Sequence, residues 1–216
     1  MSSKSLKADY QKWLWMLAIA DIALILLFLV PDISETELSR LANWRLLITI
    51  IVPVGVLLLV NVLPHKLKCM AVYWKPYGWL PGCEVFTKFA LDDARIDMKE
   101  LTKHIGKPPS GQGEQNARWY QLYKLVENEP EITEVHRNFL MYRDMATLSF
   151  PFIALAPLFL FWAGASREAQ WGGAALFLIQ FLLTAISARW SGIRFVCNVL
   201  ALHSARPIQG AKLNRR

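Results

Sequence analysis

A single carboxylate interrupts the first long apolar stretch of the chain. Residues 13–30 read WLWMLAIADIALILLFLV, and Asp21 lies near their middle. A carboxylate at the centre of a bilayer costs roughly 2.5–3.5 kcal/mol on insertion scales, so it usually faces the interior of a helix bundle and has a polar partner. Gln180 lies near the middle of the last apolar stretch, and its amide can donate to a carboxylate. We therefore expect Asp21 and Gln180 to meet near the membrane midplane.

Prolines in the two other apolar stretches would add backbone acceptors at a similar depth. A proline inside a helix leaves the carbonyl four residues before it without a donor. The sequence thus predicts an intramembrane polar layer formed by Asp21, Gln180, Pro53, Gly55 and Pro157. Three interpretations of Asp21 stay open: an interhelical hydrogen bond within one chain or between copies, a place on an ion or proton path, and a protonated carboxyl group without a role.

Ionisable residues also follow the second apolar stretch, but their spacing matches no known catalytic motif. His136 and Arg143 are seven residues apart and would share one face of a helix, with Arg137 and Asp144 beside them. No HExxH, CxxC or GxSxG pattern occurs, and GKPPSGQG lacks the first glycine and the Ser/Thr of a phosphate-binding loop. The three cysteines have no paired spacing and are expected to be free thiols. The sequence predicts no catalytic residue, no cofactor and no metal site.

Aromatic residues mark two segments between the second and third apolar stretches. In residues 114–128, Trp119 and Tyr123 belong to a stripe with i, i+3, i+4, i+7 spacing, which is typical of the buried face of a helix. In YWKPYGWLPGC the aromatic residues lack a helical period and are expected to lie in a loop against the membrane surface. The residues that we expect in this cytosolic segment or at its partner contacts are Trp74, Tyr77, Trp79, Trp119, Tyr123, His136, Arg137 and Arg143.

The elements that must position these side chains are membrane-spanning helices. The chain is 54% hydrophobic and 19% charged, and its apolar residues are concentrated in residues 13–30, 46–63, 146–165 and 171–188. Each stretch is close to the ~20 residues that a helix needs to cross a bilayer. None alternates polar and apolar residues as a barrel strand does. The predicted fold class is an all-α integral membrane protein with four transmembrane helices and a small helical cytosolic domain between spans 2 and 3.

The basic residues predict the orientation of these helices. Of the 24 lysines and arginines, 21 lie before span 1, between spans 2 and 3, or after span 4. The positive-inside rule therefore places both termini and the central segment in the cytosol, with the chain as a multi-pass protein of the cell (inner) membrane. The net charge of +7 comes mainly from the terminal segments, which are expected to contact anionic lipid headgroups and not nucleic acid.

Five segments follow from this topology. They are a basic N-terminus (1–12), a helical hairpin (13–64), the cytosolic domain (65–145), a second hairpin (146–188) and a basic C-terminal helix and tail (189–216). Within the cytosolic domain we expect a loop over 65–89 and one helix over 92–105. A further helix should start at Pro130 and continue into span 3, and span 4 should extend through residues 189–203.

The expected function is that of a non-enzymatic membrane subunit. It would form a homo-oligomer through its spans and recruit or respond to a soluble cytosolic partner. Proteins of this architecture occur as membrane components of prokaryotic complexes such as phage-defence systems, which is an analogy of architecture only. An oligomeric pore or small transporter that uses Asp21 and Gln180 is the alternative. A membrane-embedded lipid-acting enzyme is the second alternative, with residues His65, Cys69, His136, Arg143 and Asp144.

Overall fold

Every regular element in the described part of the chain is a helix. The computed structural model describes residues 6–29, 51, 54–58, 62–75, 77–78 and 80–205. Three long helices dominate: α1 (Leu6–Leu29), the helix Pro130–Trp162 and the helix Arg167–Ala205. Shorter helices lie within residues 65–126.

Three helices in these residues are long and apolar enough to cross a bilayer, judged by length and composition. They contain the spans Ala8–Phe28, Pro130–Trp162 and Arg167–Ala205. The chain therefore has the character of a membrane protein, as the first, third and fourth apolar stretches predicted. The second stretch, 46–63, lies mostly outside the described residues, although residues 54–58 are helical.

The two C-terminal long helices are uninterrupted. The 33-residue helix Pro130–Trp162 passes through Pro151 and Pro157 without ending, and the 39-residue helix Arg167–Ala205 follows after a short turn. The sequence predicted both continuations. The chain forms two compact units, Met1–Trp74 with Arg137–Arg189 and Lys75–His136 with Trp190–Arg216, and each of these two helices supplies residues to both.

The first unit is built on matching apolar stripes. On α1 the buried residues Tyr10, Leu14, Ala18, Asp21 and Ile25 recur every three or four positions, which places them on one face of the helix. The four of them other than Asp21 belong to a core whose other helices contribute large residues such as Leu148, Phe152, Leu160 and Phe177. Asp21 thus occupies a position in the buried stripe of α1 that an apolar residue would otherwise fill.

The expected loop over residues 65–89 is partly helical. Helix α2 (His65–Tyr73) follows Pro64 and ends where Trp74 adopts a left-handed conformation with φ 52°. Farther along, a 3₁₀ turn (Pro81–Glu84) and one π-helical turn (Val85–Phe89) lead into the short helix α3 (Ala90–Asp92). The prediction missed these elements because none is long enough to show a helical period.

The single helix expected over residues 92–105 is interrupted. After α3 the chain turns, and Asp97 begins helix α4 (Met98–Ile105) by accepting hydrogen bonds from the amides of Lys99 and Glu100. An aspartate at this N-cap position stabilises a helix start, which explains the break. Helix α5 (Gln112–Val126) follows, and the long helices are α6 (Pro130–Trp162) and α7 (Arg167–Ala205).

Candidate functional site

Asp21 and Gln180 are in contact inside the first unit. The Gln180 Nε2 amide donates to Asp21 Oδ1 at 2.9 Å and to the Ser149 hydroxyl oxygen at 3.0 Å. The Ser149 hydroxyl in turn donates to the carbonyl of Met145 at 3.0 Å. Asp21 and Ser149 are both fully buried. One polar layer therefore joins α1, α6 and α7, and the two protons of a single amide group hold it together.

Two other residues expected in this layer, Gly55 and Pro157, do not take part in these contacts. Pro157 lies eight residues beyond Ser149 on α6, about 12 Å farther along the helix axis. Gly55 is exposed in the helical residues 54–58, and Pro53 lies outside the described residues. Helix α6 contributes to the layer through Ser149 and not through Pro157, because residue 149 packs at the level of Gln180. The centre of the third apolar stretch lies farther along the helix.

The burial of Asp21 bears on its role. The carboxylate is fully buried, and its hydrogen bond with Gln180 joins α1 to α7. Its second oxygen, Oδ2, has no hydrogen-bond partner among the described residues. The polar layer thus joins helices through hydrogen bonds, and the second carboxylate oxygen of Asp21 takes no part in them.

A second buried polar group surrounds Asp144 on α6. Asp144 Oδ1 accepts from Lys68 Nζ at 3.1 Å and from the Arg143 guanidinium at 2.7 and 3.0 Å. Its Oδ2 accepts from the Tyr10 hydroxyl at 3.0 Å. All four residues are at most 6% exposed. This Asp144 cluster joins α1, α2 and α6 through one carboxylate.

His65 extends the Asp144 cluster and has a defined protonation state. Arg143 Nη1 lies 2.6 Å from His65 Nδ1, and a guanidinium can only donate, so Nδ1 accepts. The imidazole is therefore neutral, with its proton on Nε2, which lies 3.4 Å from Cys69 Sγ. Burial and then the neighbouring Arg143 lower the pKa of His65 below its usual value, which agrees with this state.

The Asp144 cluster is poorly suited to catalysis. Both oxygens of Asp144 are occupied by protein donors. Cys69 is completely buried, and this burial raises the pKa of its thiol to about 11, so little nucleophilic thiolate exists at neutral pH. The sequence did not anticipate Tyr10 or Lys68 here, because they are 134 and 76 residues away from Asp144.

His136 belongs to the core of the second unit and not to the Asp144 cluster. Its ring stacks on Phe195 with centroids 4.5 Å apart, and its Nδ1 is hydrogen-bonded to the Tyr123 hydroxyl at 3.1 Å. Trp119 packs edge-on against Phe195 and donates to the carbonyl of Val196 at 3.3 Å. Trp119 and Tyr123 are buried, so they serve this core and are not exposed to a soluble partner.

The remaining residues expected at partner contacts differ in exposure. Tyr77 is 83% exposed, and Trp74 is 53% exposed with its ring 3.7 Å from the Arg189 guanidinium carbon. Arg137 is half-buried on α6, and Trp79 lies outside the described residues. Of these side chains, Tyr77 offers the most surface to another molecule.

The second unit contains one further buried polar centre that the sequence did not indicate. Gln115 Oε1 accepts from the amide of Phe86 at 3.1 Å, and its Nε2 donates to the carbonyl of Ser110 at 3.0 Å. Gln115 is 1% exposed. It therefore ties the π-helical turn to α5, and this role is structural.

No group of three or more His, Cys, Asp or Glu side chains is placed to hold a metal ion in the part of the chain that the structure describes. Cys69, Cys83 and Cys197 are free thiols. Comparison with family models, with curated proteins and with solved structures gives no match for this chain.

Proposed function

We propose that the chain is a non-enzymatic subunit of the cell (inner) membrane that oligomerises through its spans and recruits or responds to a soluble cytosolic partner. It would serve as the membrane component of a prokaryotic complex such as a phage-defence system. This proposal is supported by the contacts that the buried ionisable groups make. Asp21 and Asp144 bond to neighbouring helices of the same chain, as expected for groups that hold a scaffold together.

The proposed topology has four spans with both termini in the cytosol. Residues 46–63 form the second span, and residues 65–145 form the inserted cytosolic domain. The supporting evidence is the apolar length of residues 46–63 and the distribution of lysine and arginine along the chain.

The second unit supplies the proposed partner-binding module. It has its own aromatic core around Trp119, Tyr123 and Phe195, so it can hold a defined surface. Helix α5 exposes Tyr120 (51%) and Leu125 (71%) outside that core. Exposed aromatic and aliphatic side chains of this kind are common anchors of protein interfaces.

The proposal is tested by purifying the tagged full-length chain from its native membranes in a mild detergent. We expect a particle whose protein mass contains a whole-number multiple, two or more, of 24.7 kDa and a soluble protein in fixed ratio to it. The double variant Tyr120→Ala, Leu125→Ala should lose the soluble protein and keep the copy number. The control Glu131→Ala, which changes an exposed residue of α6, should keep both. A single copy without an associated protein would contradict the proposal.

An oligomeric pore is the alternative function. The Oδ2 atom of Asp21 favours it: this atom has no hydrogen-bond partner among the described residues, and a buried acceptor in a span can interact with a passing cation or proton. The test compares the conductance of planar bilayers that contain wild type or Asp21→Asn. A current that depends on Asp21 supports the pore, and equal baseline currents support the scaffold.

A lipid-acting enzyme is the second alternative. The proximity of His65, Cys69, Arg143 and Asp144 in one cluster is the observation in its favour. The test is lipid turnover by the purified protein and by Asp144→Asn. Turnover that the substitution abolishes, in a variant that still binds detergent as a folded particle, would replace the scaffold proposal.

A further inference from the structure

An open groove lies between α6 and α7 in the first unit. Its volume is about 730 Å³, which is within the usual range for small-molecule sites. Ile153 and Pro157 of α6 form one wall, and Ala174, Ala175 and Leu178 of α7 form the other. The two alanines carry only methyl groups, so this part of the groove is concave and apolar.

One end of the groove is polar. Arg167, Gln170 and Trp171 line it at the start of α7. Arg167 is exposed and forms no ion pair with another described residue, while the Gln170 amide donates to the carbonyl of Ala165 at 2.8 Å. Trp171 is 75% exposed, as expected for a tryptophan at a membrane interface.

The length of the groove matches one leaflet of a bilayer. From Arg167 to Leu178 the helix advances eleven residues, about 16 Å, and half of a hydrocarbon core is about 15 Å. Leu178 lies two residues before Gln180, which belongs to the buried polar layer with Asp21. The groove therefore runs from a cationic interfacial end to the level of that layer.

We propose that this groove binds one phospholipid, with its phosphate on Arg167 and one acyl chain between α6 and α7. A guanidinium recognises phosphate oxygens through paired N–H donors, and the apolar walls exclude a charged or strongly polar ligand. The bound lipid fills the concave surface beside Pro157 and Ala175. This inference is independent of the proposed function, because it needs only the spanning helices α6 and α7.

A second copy of the chain is the competing occupant of the groove. A helix from another copy would also cover Ala174 and Ala175, since small residues allow close helix approach. It would not need the charge of Arg167. The two occupants therefore differ in their dependence on Arg167 and in their effect on the copy number.

The test uses the full chain in phosphatidylcholine nanodiscs that contain phosphatidylglycerol with a photoreactive diazirine on one acyl chain. Labelling is mapped by mass spectrometry, and we expect it to concentrate on residues 153–157 and 174–178. Arg167→Gln should weaken labelling about 5-fold, as expected for loss of one interfacial cation. Ala175→Leu, at an exposed position, should block labelling without changing the melting temperature. The control Arg194→Gln, an exposed arginine elsewhere on α7, should leave labelling unchanged.

Two results would overturn the proposal. Labelling of the exposed residues Leu158 and Phe161 that equals labelling in the groove would mean that only bulk lipid contacts the protein there. If Ala175→Leu lowers the copy number, and Arg167→Gln leaves the labelling unchanged, the groove is an interface between copies. Preferential labelling that Arg167→Gln weakens, Ala175→Leu blocks and the control keeps supports the lipid site.

Discussion

The Asp144 cluster provides the sharpest prediction of stability. Asp144→Asn has nearly the same shape, and its side-chain oxygen can still accept a hydrogen bond. It removes the negative charge that lies 3.1 Å from Lys68 and 2.7 Å from Arg143, both of which are buried. The two cations then stay in the protein interior without the charge of Asp144.

The cost of that change follows from the burial of the pair. Removing one partner of a buried ion pair costs about 3–5 kcal/mol, mostly because the remaining charge is desolvated. For a chain of this size, 1 kcal/mol corresponds to about 2–4 °C in melting temperature. We therefore expect Asp144→Asn to melt about 6–20 °C below wild type.

The assay is thermal unfolding of the detergent-purified protein, followed by intrinsic tryptophan fluorescence. Glu168→Gln is the matched control, since it removes one carboxylate from an exposed position of α7 in the same unit. Adding Lys68→Met to Asp144→Asn should recover part of the loss, because it removes one of the two buried cations that faced Asp144. If Asp144→Asn and Glu168→Gln melt at the same temperature, the ion pairs do not stabilise the unit and the reasoning is refuted.

Three further predictions follow from other contacts. Gln180→Leu should destabilise the first unit by about 1–2 kcal/mol. Asp21→Asn should be neutral or stabilising, because the new side-chain oxygen still accepts the hydrogen bond from Gln180 and the charge is removed. Unfolding in detergent measures both variants, and an equal loss of stability in the two would contradict a role of this hydrogen bond in joining the helices. Gln115→Ala should lower the free energy of unfolding by about 1–3 kcal/mol, because the backbone amide of Phe86 loses its acceptor. Amide hydrogen exchange should then become faster in residues 81–89 and stay unchanged in residues 98–105. The folded state lowers the pKa of His65, so the contribution of His65 to stability is complete above about pH 6.5 and decreases as the pH falls. The melting temperatures at pH 7.5 and 5.5 should therefore differ more in wild type than in His65→Gln. An equal difference in the two proteins would exclude a role of His65 in the pH dependence.

The features that the sequence predicted are those with a local signal. The apolar lengths of α1, α6 and α7 are visible in any window of ~20 residues, so these helices were predicted correctly. The buried stripe of α5 was also visible as a spacing, and Trp119 and Tyr123 are buried as that spacing implies. The partnership of Asp21 and Gln180 followed from the rarity of polar residues in apolar stretches.

The features that the sequence did not predict depend on long-range packing. Tyr10 and Asp144 are 134 residues apart, and no property of Tyr10 distinguishes it from an interfacial tyrosine. Ser149 resembles any helical serine that bonds its own backbone, and only packing shows that it also accepts from Gln180. His136 belongs to the second unit and Arg143 to the first. The two residues therefore do not form one site, although they are seven residues apart on the same helix.

The distance along the chain between Asp21 and Gln180 has a consequence for biosynthesis. The two residues are 159 positions apart, so a ribosome that adds about 5–20 residues per second makes the amide about 8–30 s after the carboxylate. During that interval α1 carries its acid into the translocation site without α7. A nascent or truncated chain that ends before α7 thus carries Asp21 in its first span without the amide of Gln180. Synthesis of α7 then supplies the amide of Gln180 that bonds to Asp21.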